Sequence, residues 1–121
     1  MTEKQYKEFI SLNEKFIDRC SQVCSLLEPI NSSYGYLDRF EPDGDFVYGE
    51  GDEYWSYGGH EYHAQKFPTK YLWMKDEEIK DIVKKELEER ENKKREKKEE
   101  DERLQIERER ELYEKLKQKF E

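Results

Sequence analysis

The sequence predicts an α+β protein: an N-terminal helix packed on a small three-stranded antiparallel meander, followed by a long charged C-terminal helix. Three observations carry this expectation. Apolar residues recur at 3–4 spacing as far as Leu27, the mark of one buried helix face. Between Tyr34 and Phe67 the period changes to two, and aromatic residues alternate among Gly, Pro and Asp turn chemistry. From Glu88 the apolar pattern gives way to charge of both signs without Gly or Pro.

The first helix is expected over residues 3–28. Thr2 is its N-cap, with Gln5 in place of the Glu of a capping box. Tyr6, Phe9, Ile10, Phe16, Ile17, Cys20, Val23, Cys24 and Leu27 form a single stripe, with Asn13 as a polar notch. Pro29 ends the helix because it pushes Glu28 out of the α region. Cys20 and Cys24 lie on one face, four residues apart on the same helix, where a disulfide would strain the backbone. With no second Cys/His pair at finger-like spacing, they read as small buried apolar residues.

Tyr34, Tyr36 and Phe40 point to a first strand, and Pro42-Asp43-Gly44-Asp45 to a turn. A second strand opens at Phe46-Val47-Tyr48 and runs through Gly49 and Gly51, glycines that suggest a bulge or bend, into Tyr54-Trp55-Ser56-Tyr57. Gly58-Gly59 is the next turn, and His60 to Phe67 return as the third strand, stopped by Pro68. Tyr71 to Met74 form a helical turn or an aromatic plug over the sheet end. Asp76 is the expected N-cap of the last helix, with Glu77 and Glu78 placed where the helix dipole favours negative charge. Ile79, Ile82, Val83 and Leu87 dock its first turns, so the domain is expected to span 1–87 and a charged helical extension 88–121.

In that extension, all residues from Glu88 to Arg103 except Asn92 are charged. Glu89–Lys93, Glu91–Arg95, Lys97–Asp101, Lys98–Glu102 and Glu99–Arg103 stand at i,i+4 spacing. Leu104, Leu112, Leu116 and Phe120, with Ile106 and Tyr113 beside them, are too few for a coiled coil and suit a weak contact between copies through 104–121.

Composition restricts the function. At 121 residues there is room for one small domain, with 33% hydrophobic and 45% charged residues and a net charge of −8. The extension is near neutral, so the acidity belongs to the rest. Residues 34–66 hold eight acids against Arg39 and Lys66. Such a surface repels nucleic acid and anionic membranes and attracts basic ones, so a protein partner with a basic surface is expected and direct nucleic-acid binding is not. The N-terminus carries no apolar signal core, and no stretch approaches the roughly 18–20 apolar residues of a membrane span. The expected location is therefore the cytoplasm.

Two constellations could carry chemistry. The rings of Tyr54, Trp55 and Tyr57 stand beside Asp45, Glu50, Asp52 and Glu53. A helix covers only one face of a sheet, so these rings are either core or, in part, exposed anchors rimmed by acid. The second is His60-Glu61-Tyr62-His63 with Asp52 and Glu53. His60, His63 and Asp52 would make a small metal-dependent enzyme if they converged, but on a strand positions 60 and 63 face opposite sides. No phosphate loop, nucleophile elbow or Cys-x-x-Cys pair is present, so no cofactor and no enzymatic activity are expected.

Asp52-Glu53-Tyr54-Trp55-x-Tyr57-Gly58-Gly59, then Phe67-Pro68-x-x-Tyr71-Leu72, then a Glu/Lys-rich helix, resembles small uncharacterised accessory proteins of tailed bacteriophages and prophages. The likeness covers roughly 45–121. It implies a setting and no transferable residue roles: a phage-type protein in the bacterial cytoplasm that inhibits a host or defence protein by occupying it. The expected function is thus non-enzymatic binding through Tyr54, Trp55 and Tyr57, with Asp45, Glu50, Asp52 and Glu53 as a charged rim against a nucleic-acid-handling partner.

Overall fold

The computed structural model describes residues 1–120, Phe120 by its backbone only. Glu121, and the expected place of the Phe120 side chain in the apolar stripe, lie outside the described residues. Helix α1 (Glu3–Leu27) is followed by strands β1 (Arg39–Asp43), β2 (Phe46–Trp55) and β3 (Gly59–Pro68), and by helix α2 (Asp76–Phe120). The strands form one antiparallel sheet in the order β1-β2-β3. This is the α+β architecture the residue pattern predicts. The chain divides into two compact units, Met1–Lys84 and a second from Lys85 onward.

Helix α1 begins in a capping box: the Gln5 backbone N–H donates to Thr2 Oγ1 at 3.1 Å and the Thr2 N–H to Gln5 Oε1 at 3.0 Å. Its stripe is buried only in the C-terminal half, at Cys20, Val23, Cys24 and Leu27. Tyr6, Phe9, Ile10 and Ile17 are exposed, a correction to the single buried stripe expected. The reason is size: the core packed against α1 reaches no further towards its N-terminus than Phe16, which is half-buried. In that core the four buried residues meet Leu37, Val47 and Phe67 with Ile79 and Val83. Both cysteine thiols are free, and burial pushes Cys20 up to about 11 and Cys24 up to about 12, as expected of packing residues.

A single arginine joins α1 to the Tyr71–Met74 segment. The Arg19 guanidinium donates to the carbonyls of Leu72 (3.0 Å), Tyr71 (3.2 Å) and Met74 (2.7 Å) and to Asp76 Oδ1 at 2.7 Å. A planar fork of donors suits this cluster of carbonyls as a lysine would not. Asp76 is consequently the first residue of α2 and an ion-pair partner, not the N-cap expected of it. Tyr71, Leu72 and Met74 pack at the edge of the core, while Trp73 stays exposed and plugs nothing. On α2, Ile79 and Val83 are buried, Ile82 is half-buried and Leu87 is exposed.

Two further expectations are corrected before the sheet. Tyr34 and Tyr36 lie in a 3₁₀ turn, Ser32–Tyr36, and not on the first strand. Asn31 starts it by accepting the Ser33 N–H at 3.0 Å, and Tyr34 then donates its hydroxyl to the Lys66 carbonyl at 2.9 Å. Nor do Gly49 and Gly51 mark a bulge, since β2 pairs with β3 in unbroken register from Phe46↔Pro68 to Trp55↔Gly59. Gly51 is required by close approach: a Cβ there would stand 1.7 Å from the Tyr36 carbonyl oxygen. That contact seats the 3₁₀ turn directly on the sheet.

The solvated part of α2 carries the expected i,i+4 chemistry sparsely. Glu91–Arg95 at 3.8 Å and Glu86–Arg90 at 3.1 Å are ion-paired, while the other pairs named above are not within 4.0 Å. Leu104, Ile106, Leu112, Tyr113 and Leu116 are exposed.

Candidate functional site

Strand alternation decides where each candidate residue goes. In β2 the odd positions Val47, Gly49 and Gly51 face the core, so Glu53 and Trp55 follow them on the inner face. Tyr48, Glu50, Asp52 and Tyr54 take the outer face. The same rule on β3 puts Glu61, His63 and Phe67 inside and His60, Tyr62 and Lys66 outside. The seven residues expected to form one site are therefore divided. Asp45 leaves the group altogether, because it sits in the β1–β2 turn at the far end of β2, where its carbonyl accepts from Thr69 N (2.9 Å) and Oγ1 (2.8 Å).

On the outer face the acids are wired to cations and phenols. Arg39 reaches Glu50 Oε1 at 3.4 Å and Asp52 Oδ2 at 3.2 Å, and also Asp38 at 3.3 Å. His60 Nε2 lies 2.7 Å from Asp52 Oδ1, and its ring stacks on Tyr54 at 4.8 Å. Tyr62 donates its hydroxyl to Glu50 Oε2 at 2.5 Å and lies 3.1 Å from the Tyr48 hydroxyl. The hydrogen bond from His60, then that from Arg39, holds Asp52 below its ordinary carboxyl value. Tyr62, then Arg39, does the same for Glu50, and in return the Glu50 carboxylate drives the Tyr62 phenol strongly upward.

The inner face is arranged around His63, which is only 8% exposed. Its Nδ1 is 2.8 Å from Ser33 Oγ and its Nε2 is 2.8 Å from Glu53 Oε2, with Glu61 Oε2 at 3.9 Å. Tyr36 stacks on the imidazole at 4.6 Å and 15°. The bond from its hydroxyl to Glu53 raises the Tyr36 phenol above its ordinary value, helped by the field of Glu53 itself. His60 and His63 are thus on opposite faces, and Asp52 is with His60. The His60/His63/Asp52 metal set does not form, for the period-two reason the sequence already contains.

At the end of the hairpin Ser56, Tyr57 and Gly58 make a tight 3₁₀ turn. Tyr57 adopts φ 72° and ψ 25°, a left-handed conformation unusual for a bulky residue, followed by Gly58 at φ 76°. Its ring is fully solvated at 106% relative exposure, with Tyr54 at 75% and Trp55 at 52%. Trp55 lies over Gly59, where a Cβ would come within 1.7 Å of the indole nitrogen. None of the three rings belongs to the core, which settles the alternative left open by pattern alone.

Sequence reasoning did not find Arg39, Tyr48 or Tyr62 as members of the outer network, nor Ser33 and Tyr36 as partners of His63. Only Arg39 had a signal, as one of two bases among eight acids. Among the described residues, no helix is long and apolar enough to cross a membrane. No known protein family, characterised protein or solved structure matches the chain.

Proposed function

We propose that this chain is a non-enzymatic binding protein whose contact surface is the β2–β3 hairpin tip, and that it occupies and thereby inhibits a protein partner with a basic surface. The observation that carries this reading is the solvation of Tyr54, Trp55 and Tyr57 together at one tight turn, with Tyr57 held out on a strained backbone. Aromatic anchors of this kind dominate protein interfaces, and they accept Lys and Arg side chains on their faces. The charge of the module supports a basic partner through its long-range field. Glu50 and Asp52 contribute less as direct contacts, since Arg39 and His60 already engage them. That the partner handles nucleic acid, and that it is a host or defence protein met by a phage, rests on the resemblance and on charge alone.

The test uses Tyr57→Ala, because that ring is fully solvated and its loss is expected to leave the fold intact. Tagged wild type and variant are compared for capture from bacterial lysate, and the captured protein is then titrated with each at two salt concentrations. Binding weakened more than tenfold by the variant, and weakened by salt, supports the proposal. Equal capture by both chains excludes the tip as the contact.

A second reading is self-association through 104–121, favoured by the exposure of Leu104, Ile106, Leu112, Tyr113 and Leu116 on one stretch of helix. Light scattering of the whole chain beside a chain ending at Arg103 decides it. The same number of copies per particle in both removes this reading.

A further inference from the structure

The inner face of the hairpin holds a charge arrangement that the binding reading does not use. Glu53 and Glu61 are direct cross-strand partners, a like-charge pairing that destabilises a sheet. Among the described residues no lysine or arginine nitrogen lies within 4.0 Å of either carboxylate; the His63 imidazole approaches both, and Glu53 also accepts from the neutral Tyr36 hydroxyl. The outer face, two residues away, compensates its own acids with Arg39. An uncompensated carboxylate pair converging on a buried imidazole is the condition for holding a cation.

We propose that His63 Nε2, Glu53 and Glu61 form a binding site for one divalent transition metal ion, with zinc the best match. Their ligand atoms all lie within 4.8 Å of one another. A tetrahedral zinc ion with bonds of about 2.0–2.1 Å needs ligand atoms about 3.3 Å apart. The two distances from Nε2, 2.8 Å to Glu53 and 3.9 Å to Glu61, fall on either side of that value. Both adjustments are small, and the Glu61 side chain, 61% exposed, is free to make its own.

The imidazole is already oriented for this task. When Nδ1–H donates to Ser33 Oγ at 2.8 Å, the Nε2 lone pair points at the carboxylates, and the stacked Tyr36 ring fixes the plane. Metal-ligating histidines are held in this way, by a hydrogen bond at the other ring nitrogen. Gly51, the cross-strand partner of His63, brings no side chain that could obstruct the ring. One imidazole and two carboxylates suit zinc or manganese. Copper(I) prefers thiolates, and calcium takes six or more oxygens. A fourth position remains for water. The ion would clamp β2 to β3 immediately below the aromatic tip.

The site is tested on the full chain, stripped with a chelator and titrated with Zn²⁺ alone against a chromophoric indicator. One equivalent is expected to bind the wild type. Glu61→Gln and His63→Gln are expected to weaken it more than tenfold, and Ser33→Ala roughly ten- to a hundredfold. His60→Ala, on the opposite face, is expected to bind as the wild type does. Glu61→Gln guards against misfolding, because its side chain makes no other contact. Imidazole ¹⁵N NMR should show the His63 Nε2 resonance moving on zinc addition while that of His60 stays. Absence of saturable one-to-one binding, equal binding in wild type and both Gln variants, or loss in His60→Ala would each overturn the proposal. The first outcome would instead assign these carboxylates to a basic side chain of a partner.

Discussion

The two faces of the β2–β3 hairpin contain the same kinds of residue and treat them oppositely. Outside, Glu50 and Asp52 share Arg39, accept from Tyr62 and His60, and remain partly in water. Inside, Glu53 and Glu61 confront each other across the strands beside a buried His63, with the Ser32–Tyr36 turn closing over it. The difference arises from what each face packs against. The outer face has the β1 arginine, Arg39, beside its acids. The inner face has a turn that offers a serine hydroxyl and a tyrosine ring. Adjacent acids in one sequence run therefore sit in unlike environments, and no property of the run as a whole describes either.

Gly51→Ala should break the comparison most severely. The new Cβ would collide with the Tyr36 carbonyl, a backbone group that cannot swing aside, and lift the 3₁₀ turn from the inner face. A loss of about 3 kcal/mol is expected in denaturant unfolding, at the upper end of overpacking costs. His63→Ala should follow with about 2 kcal/mol, since it empties a buried site and strips Ser33 and Glu53 of a partner. The equivalent outer change, His60→Ala, should cost well under about 1 kcal/mol, as exposed pairs do. Equal losses in the two histidine variants would show the faces to be alike.

Tyr57→Gly should move stability the other way. Glycine removes the left-handed strain, so a gain of about 1 kcal/mol is expected together with weakened partner binding. A destabilised variant would mean that the ring supports the fold. The smallest effect belongs to pH. Asp52 and Glu50 have folded values depressed below their ordinary 3.8 and 4.5. Their contribution is therefore complete above those ordinary values and is lost as the pH falls through the depressed ones. Asp52→Asn with Glu50→Gln should flatten the acid limb of the stability–pH curve below about pH 4.5 and leave neutral pH nearly unchanged. An unaltered acid limb would show that the outer wiring contributes nothing.

Some of this was legible in advance. Helix α1, its Thr2/Gln5 cap, the order of the strands and the long charged helix follow from local periodicity and capping chemistry, which act over a few residues. The opposite facing of His60 and His63 also follows, because a strand alternates whatever it packs against. Tyr34 and Tyr36 show where local pattern misleads. Their spacing of two matches a strand, yet Asn31 and the need to cover the inner face fold them into a turn.

What the sequence by itself determined is therefore the set of elements and, within each strand, which residues share a face. Which faces are covered was decided only by tertiary structure. α1 carries more apolar surface than its partners can bury, so Tyr6 and Phe9 stay exposed although they follow the same 3–4 spacing as Val23 and Leu27. The register of β2 against β3 likewise depends on the three-residue turn Ser56–Gly58, and that register is what sets Glu53 opposite Glu61 and brings His63 to them. Periodicity reports a residue's direction from its own backbone. Coverage and pairing depend on where a second segment runs out, and no local pattern contains that length.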